Sequence, residues 1–297
     1  MSLLSEKITL QIDFEKCQRC NSCAQACPSD VFKWEGDEVA TYHPGWCIKC
    51  GHCVSACPEG AFEHSALSKD RFLPLVDGSP IDEKDLDRFF AERRSCRRFK
   101  NEPLFRGEIE ELLDKARFAP TATNAQNVRY VVLKEKESIQ ELAERTASYY
   151  LKLEQQLKNP LAWRMIAAAV GKKTVETYKY HMPSIAARFR TTLRGEDRLF
   201  YEAPAVVVAF ASGIPHLVSA GCNMAAMQIL LAAETMGLGA CYNGYSLTAL
   251  IRDKTIREFL EIPEEYHPGA VIAIGHPDGE FFRVPPRRKR RIVWFDD

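Results

Sequence analysis

The pattern of apolar positions predicts mainly helices in the last two thirds of the chain. In Arg106–Phe118, Ile109, Leu112, Leu113 and Ala116 recur every three or four residues, which places them on one face of a helix. The same reasoning predicts further helical segments at 85–94, 138–159, 161–200 and 224–236. The segment 161–200 is also rich in basic and aromatic residues.

Short runs of apolar and β-branched residues predict strands between these helices. They lie at 128–133, 205–211, 238–242 and 270–275. Because helices and strands do not alternate regularly along the chain, the pattern favours an α+β layer architecture.

A change of composition marks a boundary before residue 85. Residues 67–84 contain two prolines and a glycine and show little periodicity, which is typical of a linker. We therefore expect a small domain at 1–66, the linker at 67–84 and a second domain at 85–297, in which residues 141–200 form a helical insert and a possible substrate lid.

Eight of the eleven cysteines lie in two identical motifs near the start of the chain. CQRCNSCAQACP at 17–28 and CIKCGHCVSACP at 47–58 share the spacing C-x2-C-x2-C-x3-C-P, so each cysteine has a counterpart 30 residues later. Zinc sites usually take separated pairs of ligands, whereas here three thiolates crowd into seven residues. Such a run fits a [4Fe–4S] cluster whose fourth ligand comes from the other motif. The spacing predicts one cluster on Cys17, Cys20, Cys23 and Cys57, and a second on Cys47, Cys50, Cys53 and Cys27.

The duplicated block resembles a bacterial two-cluster ferredoxin. Zinc binding and free thiols are the alternatives to this interpretation. Cys96, Cys222 and Cys241 fall outside the motifs, and we expect them to be small buried residues.

Three polar segments of the second domain are candidate binding sites. They are RRSCRRF at 93–99, APTATNAQN at 119–127 and RVPPRRKRR at 283–291. Arginine forks and a serine hydroxyl suit a phosphate group, and the amides of the second segment could bind the polar edge of a ring system. Each segment could instead be ordinary solvated surface, and the third is also compatible with nucleic-acid binding.

The glycines of GLGACYNG at 237–244 do not form a dinucleotide fingerprint. The third glycine is misplaced and no strand directly precedes the motif. A helix cap that leads into a strand is the better interpretation.

Taken together, the motifs of the second domain resemble the FMN-dependent nitroreductase family. Their order is R-x-S-x-R-x-F, A-P-T-x-x-N-x-Q, GLGACYNG and a basic C-terminal segment, and the resemblance covers residues 85–297. It implies an FMN phosphate and ribityl chain held by Arg93, Arg94, Ser95 and Arg97, with Arg287 and Lys289 completing the phosphate site. It also implies a homodimer in which Thr121, Thr123, Asn124 and Gln126 reach the flavin of the neighbouring subunit, while Tyr242, Asn243 and Gly244 pass its N5 edge.

The chain departs from the family pattern in two places. The family often continues N-x-Q-P-W, where this chain has Asn127 and Val128, and the segment 141–200 is long for the family. The substrate is therefore the part of the site that the resemblance constrains least.

The whole chain resembles a ferredoxin–nitroreductase fusion, which implies a route for electrons. An external donor, either a reduced ferredoxin-like protein or NAD(P)H, would reduce the two clusters and then FMN. The flavin would reduce an electron-poor organic substrate such as a nitroaromatic, a quinone or an activated alkene. The alternative is an electron-transfer module that relays electrons to a protein partner. The spacing indicates no protein general acid, and His181 is more typical of a surface histidine.

Composition excludes several other classes of function. The 40 basic and 40 acidic residues cancel, so no global field favours nucleic acid or a membrane surface. The N-terminus lacks the apolar region of a signal peptide, and the apolar stretch from Ala203 is interrupted at Gly213 and Pro215. We expect a cytoplasmic protein that binds neither nucleic acid nor membrane.

Overall fold

The computed structural model describes residues 8–36, 38–75, 78 and 81–295 and divides the chain into two compact units. The first unit comprises residues 1–82 together with the short segment 123–125, and the second comprises 83–122 and 126–297. The division falls within the segment 67–84 that the sequence predicts to be a linker. That segment contains a single 3₁₀ turn, Lys69–Arg71, and the start of the first long helix.

The first unit repeats a small arrangement of strand, helix and strand. Its elements are β1 (Leu10–Ile12), α1 (Ser22–Gln25), β2 (Phe32–Glu35), β3 (Glu38–Thr41), a 3₁₀ turn (Pro44–Trp46), α2 (His52–Ser55) and β4 (Phe62–His64). β1 pairs with β4 and β2 pairs with β3, both antiparallel. The outermost strands of the unit are therefore joined to each other, which ties the two halves of the repeat together.

The cysteine motifs adopt equivalent conformations in the two halves. Asn21 and Gly51 precede α1 and α2, and both have left-handed backbones, with φ of 61° and 76°. Phe32 and Phe62 pack edge to face in the core, with their ring centroids 5.3 Å apart. The sequence repeat is thus a structural repeat around one small apolar core.

A four-stranded antiparallel sheet forms the centre of the second unit. Its strands are β5 (Arg129–Leu133), β6 (Ala205–Ser212), β7 (Gly239–Tyr242) and β8 (Tyr266–Gly275), in the order β5-β6-β8-β7. Residues 205–211 of β6 are all buried, because both faces of the sheet are covered. This explains the unbroken apolar run of that strand, since alternation is expected only where one face meets solvent.

Helices cover both faces of this sheet. They are α3 (Glu83–Glu92), α4 (Arg106–Ala116), α5 (Lys136–Lys158), α6 (Pro160–Val170), α7 (Lys172–Thr192), α8 (Pro215–Thr235), α9 (Gly244–Arg252) and α10 (Lys254–Phe259), with a 3₁₀ turn at Ala122–Asn124. On one face Val207 and Ile272 share a core with α4 and α8. On the other, Val206, Val208 and Val271 share a core with α5, α7 and α9. The predicted α+β class is confirmed.

Several element boundaries differ from those predicted. α8 begins at Pro215 and not at residue 224. Proline is compatible with the first helical turn, because the backbone N–H that it lacks would have no partner within the helix at that position. The segment 161–200 divides into α6 and α7 at Gly171, whose φ is 89°. β8 begins at Tyr266, and a bulge between Ala209 and Phe210 adjusts its register with β6. α9 and α10 have no counterpart among the predicted elements.

α8 is long and apolar enough to meet the length and composition criteria for a membrane span. In the structure, however, its residues Cys222, Ala225 and Ile229 are buried in the core against the sheet. A Cβ atom on Gly269 of β8 would lie 2.3 Å from the Cβ of Cys222. The helix and strand therefore approach so closely that only glycine fits, as in the core helix of a globular domain.

Candidate functional site

The first cysteine group consists of Cys17, Cys20, Cys23 and Cys57, which line one small cavity. Trp34, Val39 and Phe62 form much of its apolar wall. Burial raises the pKa of the Cys23 thiol, and the nearby Cys17 and Cys57 raise it further. The cysteine spacing predicts that these four side chains share one site, and in the structure they line the same cavity.

The second cysteine group consists of Cys27, Cys47, Cys50 and Cys53, which line a separate cavity with His64. Burial raises the pKa of Cys53 to about 11. His64 is buried, with 6% of its surface exposed, and burial lowers its pKa. Each motif thus contributes three cysteines to one group and its last cysteine to the other.

The two groups suit a metal–sulfur cluster better than a single ion. Among the described residues, no three His, Cys, Asp or Glu side chains lie close enough to hold one metal ion. The ligands of a [4Fe–4S] cluster bind different irons, so their sulfur atoms stand further apart. Backbone N–H groups already point at the thiols, from Lys49 to Cys47 Sγ at 3.4 Å and from Ala61 to Cys57 Sγ at 3.2 Å. Such donors stabilise negative charge on sulfur.

In the second unit, the segment after α3 lies alongside the short strand β7. Ser95 forms a parallel bridge with Ala240, and the Cys96 N–H donates to the Ala240 carbonyl at 3.0 Å. A Cβ atom on Gly239 would lie 2.6 Å from Cys96 Sγ, so glycine is required at this approach. The predicted phosphate-binding segment and the GLGACYNG segment are therefore direct neighbours.

The arginines of this segment have different partners. Arg94 donates to the carbonyl groups of Ala91 and Glu92 and so caps the C-terminus of α3. Arg98 forms an ion pair with Asp278 at 3.0 Å. Arg97 lines two large cavities of the unit, and no ion pair involves it within the described part of the chain.

Ser95, Arg93 and Arg97 all act on the thiol of Cys241. Burial raises the pKa of Cys241, while the positive charges of Arg97 and Arg93 and hydrogen bonds from Ser95 and Arg97 oppose the rise. Three of the four predicted phosphate ligands therefore lie near Cys241, a buried residue of β7. Arg94 lines the second large cavity with Ser95 and Arg97, but its guanidinium donates to carbonyl groups at the end of α3.

The first large cavity, which we call the tyrosine cavity, has a volume of about 660 Å³. Its walls carry Tyr150, Tyr178, Tyr201, Tyr245, Arg97, Arg188 and Arg198, together with the ends of β7 and α9. This volume lies within the usual range of cofactor and ligand sites, about 300–1,000 Å³. Flat aromatic walls and several guanidinium groups suit a planar, negatively charged ligand.

A turn centred on Asp197 positions one wall of the tyrosine cavity. Its carboxylate accepts the backbone N–H groups of Leu199 at 2.9 Å, Phe200 at 2.8 Å and Glu202 at 3.0 Å. These bonds hold Tyr201 in a left-handed conformation with φ of 61°, which is costly for a bulky residue.

The predicted residues of the GLGACYNG segment meet the tyrosine cavity mainly through their backbone. Asn243 is the N-cap of α9, where its Oδ1 accepts from Ser246 N–H at 2.9 Å, and its Nδ2 donates to the Leu199 carbonyl at 2.8 Å. The Tyr242 hydroxyl lies 2.8 Å from Asn223 Oδ1. The side chains of Tyr242 and Asn243 are thus engaged within the protein, and Gly244 adds none.

The predicted loop at 121–126 lines neither large cavity. Its backbone is left-handed at Thr123, Asn124 and Gln126, with φ between 46° and 53°, and Gln126 N–H donates to Thr121 Oγ1 at 2.9 Å. Within the first unit, the Asn124 amide donates to the carbonyls of residues 48 and 49 at 3.1 Å and 3.0 Å.

The other predicted residues lie on the surface. Arg287 and Lys289 are exposed and line neither large cavity. The second large cavity, of about 650 Å³, is lined by residues of 92–98 and 277–284 and so stops short of them. His181 is exposed on α7 and also lines neither cavity.

Sequence reasoning missed most of the walls of the tyrosine cavity. Arg188, Arg198, Tyr178 and Tyr201 come from α7 and the turn that follows it, and Tyr150 comes from α5. The basic and aromatic composition of the segment 161–200 was the available signal. Composition alone could not identify which residues of the segment form the cavity wall, because that depends on which side chains face the cavity.

The fold and the sites define a two-part oxidoreductase with a cysteine-rich cluster domain and an α+β domain. Residues 9–58 match the model of a 4Fe-4S dicluster domain, and residues 90–276 match that of the nitroreductase family. The chain therefore belongs to the nitroreductase family and carries a 4Fe-4S dicluster domain before its nitroreductase domain.

Two relatives and one solved structure are similar to this chain. The chain is 26% identical to a protein of Archaeoglobus fulgidus over 68% of this chain and 94% of the other. It is 23% identical to a protein of Methanothermobacter thermautotrophicus over 68% of this chain and 82% of the other. Both carry the provisional name NADH dehydrogenase/NAD(P)H nitroreductase. A Bacteroides fragilis nitroreductase structure with bound FMN aligns with a TM-score of 0.52 and 17% identity, over 72% of this chain and 99% of that one.

Proposed function

We propose that this protein is an FMN-dependent oxidoreductase that passes electrons from an external donor through two [4Fe–4S] clusters to FMN and on to an electron-poor organic substrate. The observation that carries the proposal is the placement of Arg97. Its guanidinium forms no ion pair among the described residues; it lies near Ser95 and Cys241 and lines an aromatic-walled cavity of about 660 Å³. The relative with bound FMN has the same fold.

The residues around Arg97, which lines both large cavities, suit FMN by their chemistry. Arg97, Ser95 and Arg93 would bind the phosphate, since a guanidinium fork and a hydroxyl match phosphate oxygens. The backbone at 242–244 would meet the polar edge of the ring. FMN would supply the exchange between one-electron and two-electron chemistry.

The two cysteine groups would each hold one [4Fe–4S] cluster. Four thiols line each cavity, beside the apolar side chains of Trp34, Val39 and Phe62 in the first group and of Val31 and Phe32 in the second. Apolar side chains next to the sulfur atoms restrict the access of water, which both protects a cluster and influences its reduction potential.

The segment 141–200 would form the wall against which the substrate binds. It supplies Tyr150, Tyr178, Arg188 and Arg198 to the tyrosine cavity. Tyrosine rings stack favourably on electron-poor planar molecules, so nitroaromatics and quinones are the substrate classes we propose. Activated alkenes are the third class that the cavity could accommodate.

The test is to purify the protein anaerobically, measure its cofactors and follow their reduction. We expect about eight irons, eight sulfides and one FMN per chain, with clusters and flavin reduced together and the flavin reoxidised by nitroaromatics or quinones. If only a protein partner reoxidised the flavin, the protein would be an electron-transfer module and not an enzyme that reduces small molecules. A protein with eight irons and no FMN would refute the catalytic proposal.

We propose further that the protein acts as a homodimer in which α8 forms the contact. Leu217, Met224 and Met227 lie on one side of α8 and are 39%, 47% and 44% exposed. Their spacing of three and seven residues makes a continuous apolar stripe. Thr121, at the start of the predicted loop, lies beside the same helix, since its Cγ2 would be 3.4 Å from a Cβ on Gly221.

Met224→Asp should convert the dimer to a monomer, because a carboxylate in the centre of an apolar interface would be desolvated without a partner. Sedimentation velocity measures the change. The control is Met165→Asp, an exposed methionine on α6 that lies outside the stripe. A Met224→Asp protein that remains a dimer would place the interface elsewhere.

A further inference from the structure

His64 distinguishes the second cysteine group from the first. Its Nε2 lies 3.4 Å from Cys47 Sγ, a hydrogen-bonding distance for the large sulfur atom. The ring is 6% exposed and lines the cavity of the second group. Few solvent molecules can therefore compete for this contact.

The direction of the hydrogen bond follows from the other ring nitrogen. Nδ1 of His64 accepts the backbone N–H of Ala66 at 3.0 Å. A nitrogen that accepts a hydrogen bond carries no proton, so in a neutral imidazole the proton must be on Nε2. Nε2 is consequently the donor and Cys47 Sγ the acceptor.

The sequence repeat provides the matching position in the other half. Trp34 stands 30 residues before His64, and both occupy the third position of their strands, β2 and β4. Trp34 lines the cavity of the first cysteine group. The two halves thus carry different rings at equivalent places beside their cysteines.

The first group has a polar contact of its own, but it lies at the surface. Ser22 Oγ is 3.3 Å from Cys20 Sγ, and either atom could donate. Cys20 is exposed, so water would replace that bond if it were lost. Each group also receives a backbone N–H, at Cys57 in the first and at Cys47 in the second. The buried His64 contact therefore adds to donors that the two groups share.

We infer that His64 raises the reduction potential of the cluster held by the second cysteine group, by donating a hydrogen bond to Cys47 Sγ. A donor to a cysteine sulfur stabilises the reduced state more than the oxidised state, because reduction places more negative charge on the sulfur atoms. The step is a one-electron transfer in which no covalent bond forms or breaks. The inference rests on the clusters of the proposed function.

The test replaces His64 and follows both reduction steps by EPR during an anaerobic potentiometric titration. His64→Phe removes the donor and retains a flat ring. We expect the equilibrium constant for reduction of one cluster to fall about tenfold, which lowers its one-electron reduction potential by about 59 mV. The reduction potential of the other cluster should not change. The His64→Gln amide can donate, so the reduction potentials of this variant should stay closer to those of the wild type. Trp34→Phe should not lower the potential of the cluster that His64→Phe affects.

Iron and sulfide analysis separates this inference from the proposed function. Wild-type protein without about eight irons would refute both. Full iron content with unmoved steps, or with both steps shifted equally, would overturn the role of His64 alone. If His64→Phe does not assemble its clusters, His52→Gln protein labelled with ¹⁵N in its histidine side chains provides the readout, because His52 lies between Cys50 and Cys53 and would otherwise give a coupling of its own. A ¹⁵N coupling to one reduced cluster in pulsed EPR would support the inference, and no coupling would overturn it.

Discussion

Cys57→Ala is expected to reduce the iron content from about eight to about four per chain, because one [4Fe–4S] cluster loses a ligand while the other retains all four. The structure places Cys57 with Cys17, Cys20 and Cys23 and not with the nearer cysteines of its own motif. The expected loss is therefore that of the first cluster. Iron and sulfide analysis of anaerobically purified protein measures it.

Double variants test the crossed arrangement of ligands. Cys20→Ala combined with Cys57→Ala should still retain about four irons, because both changes affect the same cluster. Cys50→Ala combined with Cys57→Ala should lose nearly all iron, since each change removes a different cluster. The opposite result, with full loss in the first pair and half loss in the second, would mean that each motif binds its own cluster. Cys222→Ala is the matched control: this thiol is buried in the second unit, burial raises its pKa to about 12, and iron content should not change.

Arg97→Met is expected to weaken FMN binding by about 10- to 150-fold. A hydrogen bond to a charged group contributes about 1.5–3 kcal/mol, and Arg97 would donate such bonds to the FMN phosphate. Quenching of flavin fluorescence by the apoprotein measures the dissociation constant. Methionine keeps most of the length of the side chain, so the change tests the guanidinium group and not the packing of its stem.

Variants of two further arginines test whether the loss of FMN affinity is specific to Arg97. Arg117→Met removes the same charge from an exposed residue that pairs with Asp114, and FMN affinity should stay at the wild-type level. Arg94→Met should weaken FMN less than Arg97→Met does, since the Arg94 guanidinium already binds the carbonyls of Ala91 and Glu92. Equal affinities of the Arg97→Met protein and wild type would exclude the phosphate from this part of the site.

Much of the fold follows from local patterns. The apolar run of β6 and the spacing of apolar residues in α4 correspond directly to a strand buried on both faces and a helix with one buried face. The start of α8 was misplaced because Gly213 and Pro215 resemble a break, although a proline in the first helical turn is compatible with a helix. Local composition cannot distinguish a proline that ends a segment from one that begins the next.

The candidate site was less accessible to sequence reasoning. Arg94 and Arg97 are three residues apart in one motif, and nothing in the motif indicates that Arg94 donates to the end of α3 while Arg97 lines the tyrosine cavity. Asn243 is polar and lies at the edge of the site, but its Oδ1 caps α9 and its Nδ2 donates to the Leu199 carbonyl, so both ends of its amide are engaged. Such roles depend on which partners the fold brings within hydrogen-bond distance.

The sequence alone determined the chemistry of the first unit, because ligand type and spacing are properties of the chain: eight cysteines in a duplicated motif specify two sets of four. It also determined the class of the second unit, because the period of apolar residues reflects which faces are buried. Only the tertiary structure decided that His64 Nε2 lies 3.4 Å from a cysteine sulfur. It also decided that tyrosines and arginines from α5, α7 and the turn at Asp197 form one wall. These contacts join residues far apart in the chain, and their distances arise only when the whole core has packed.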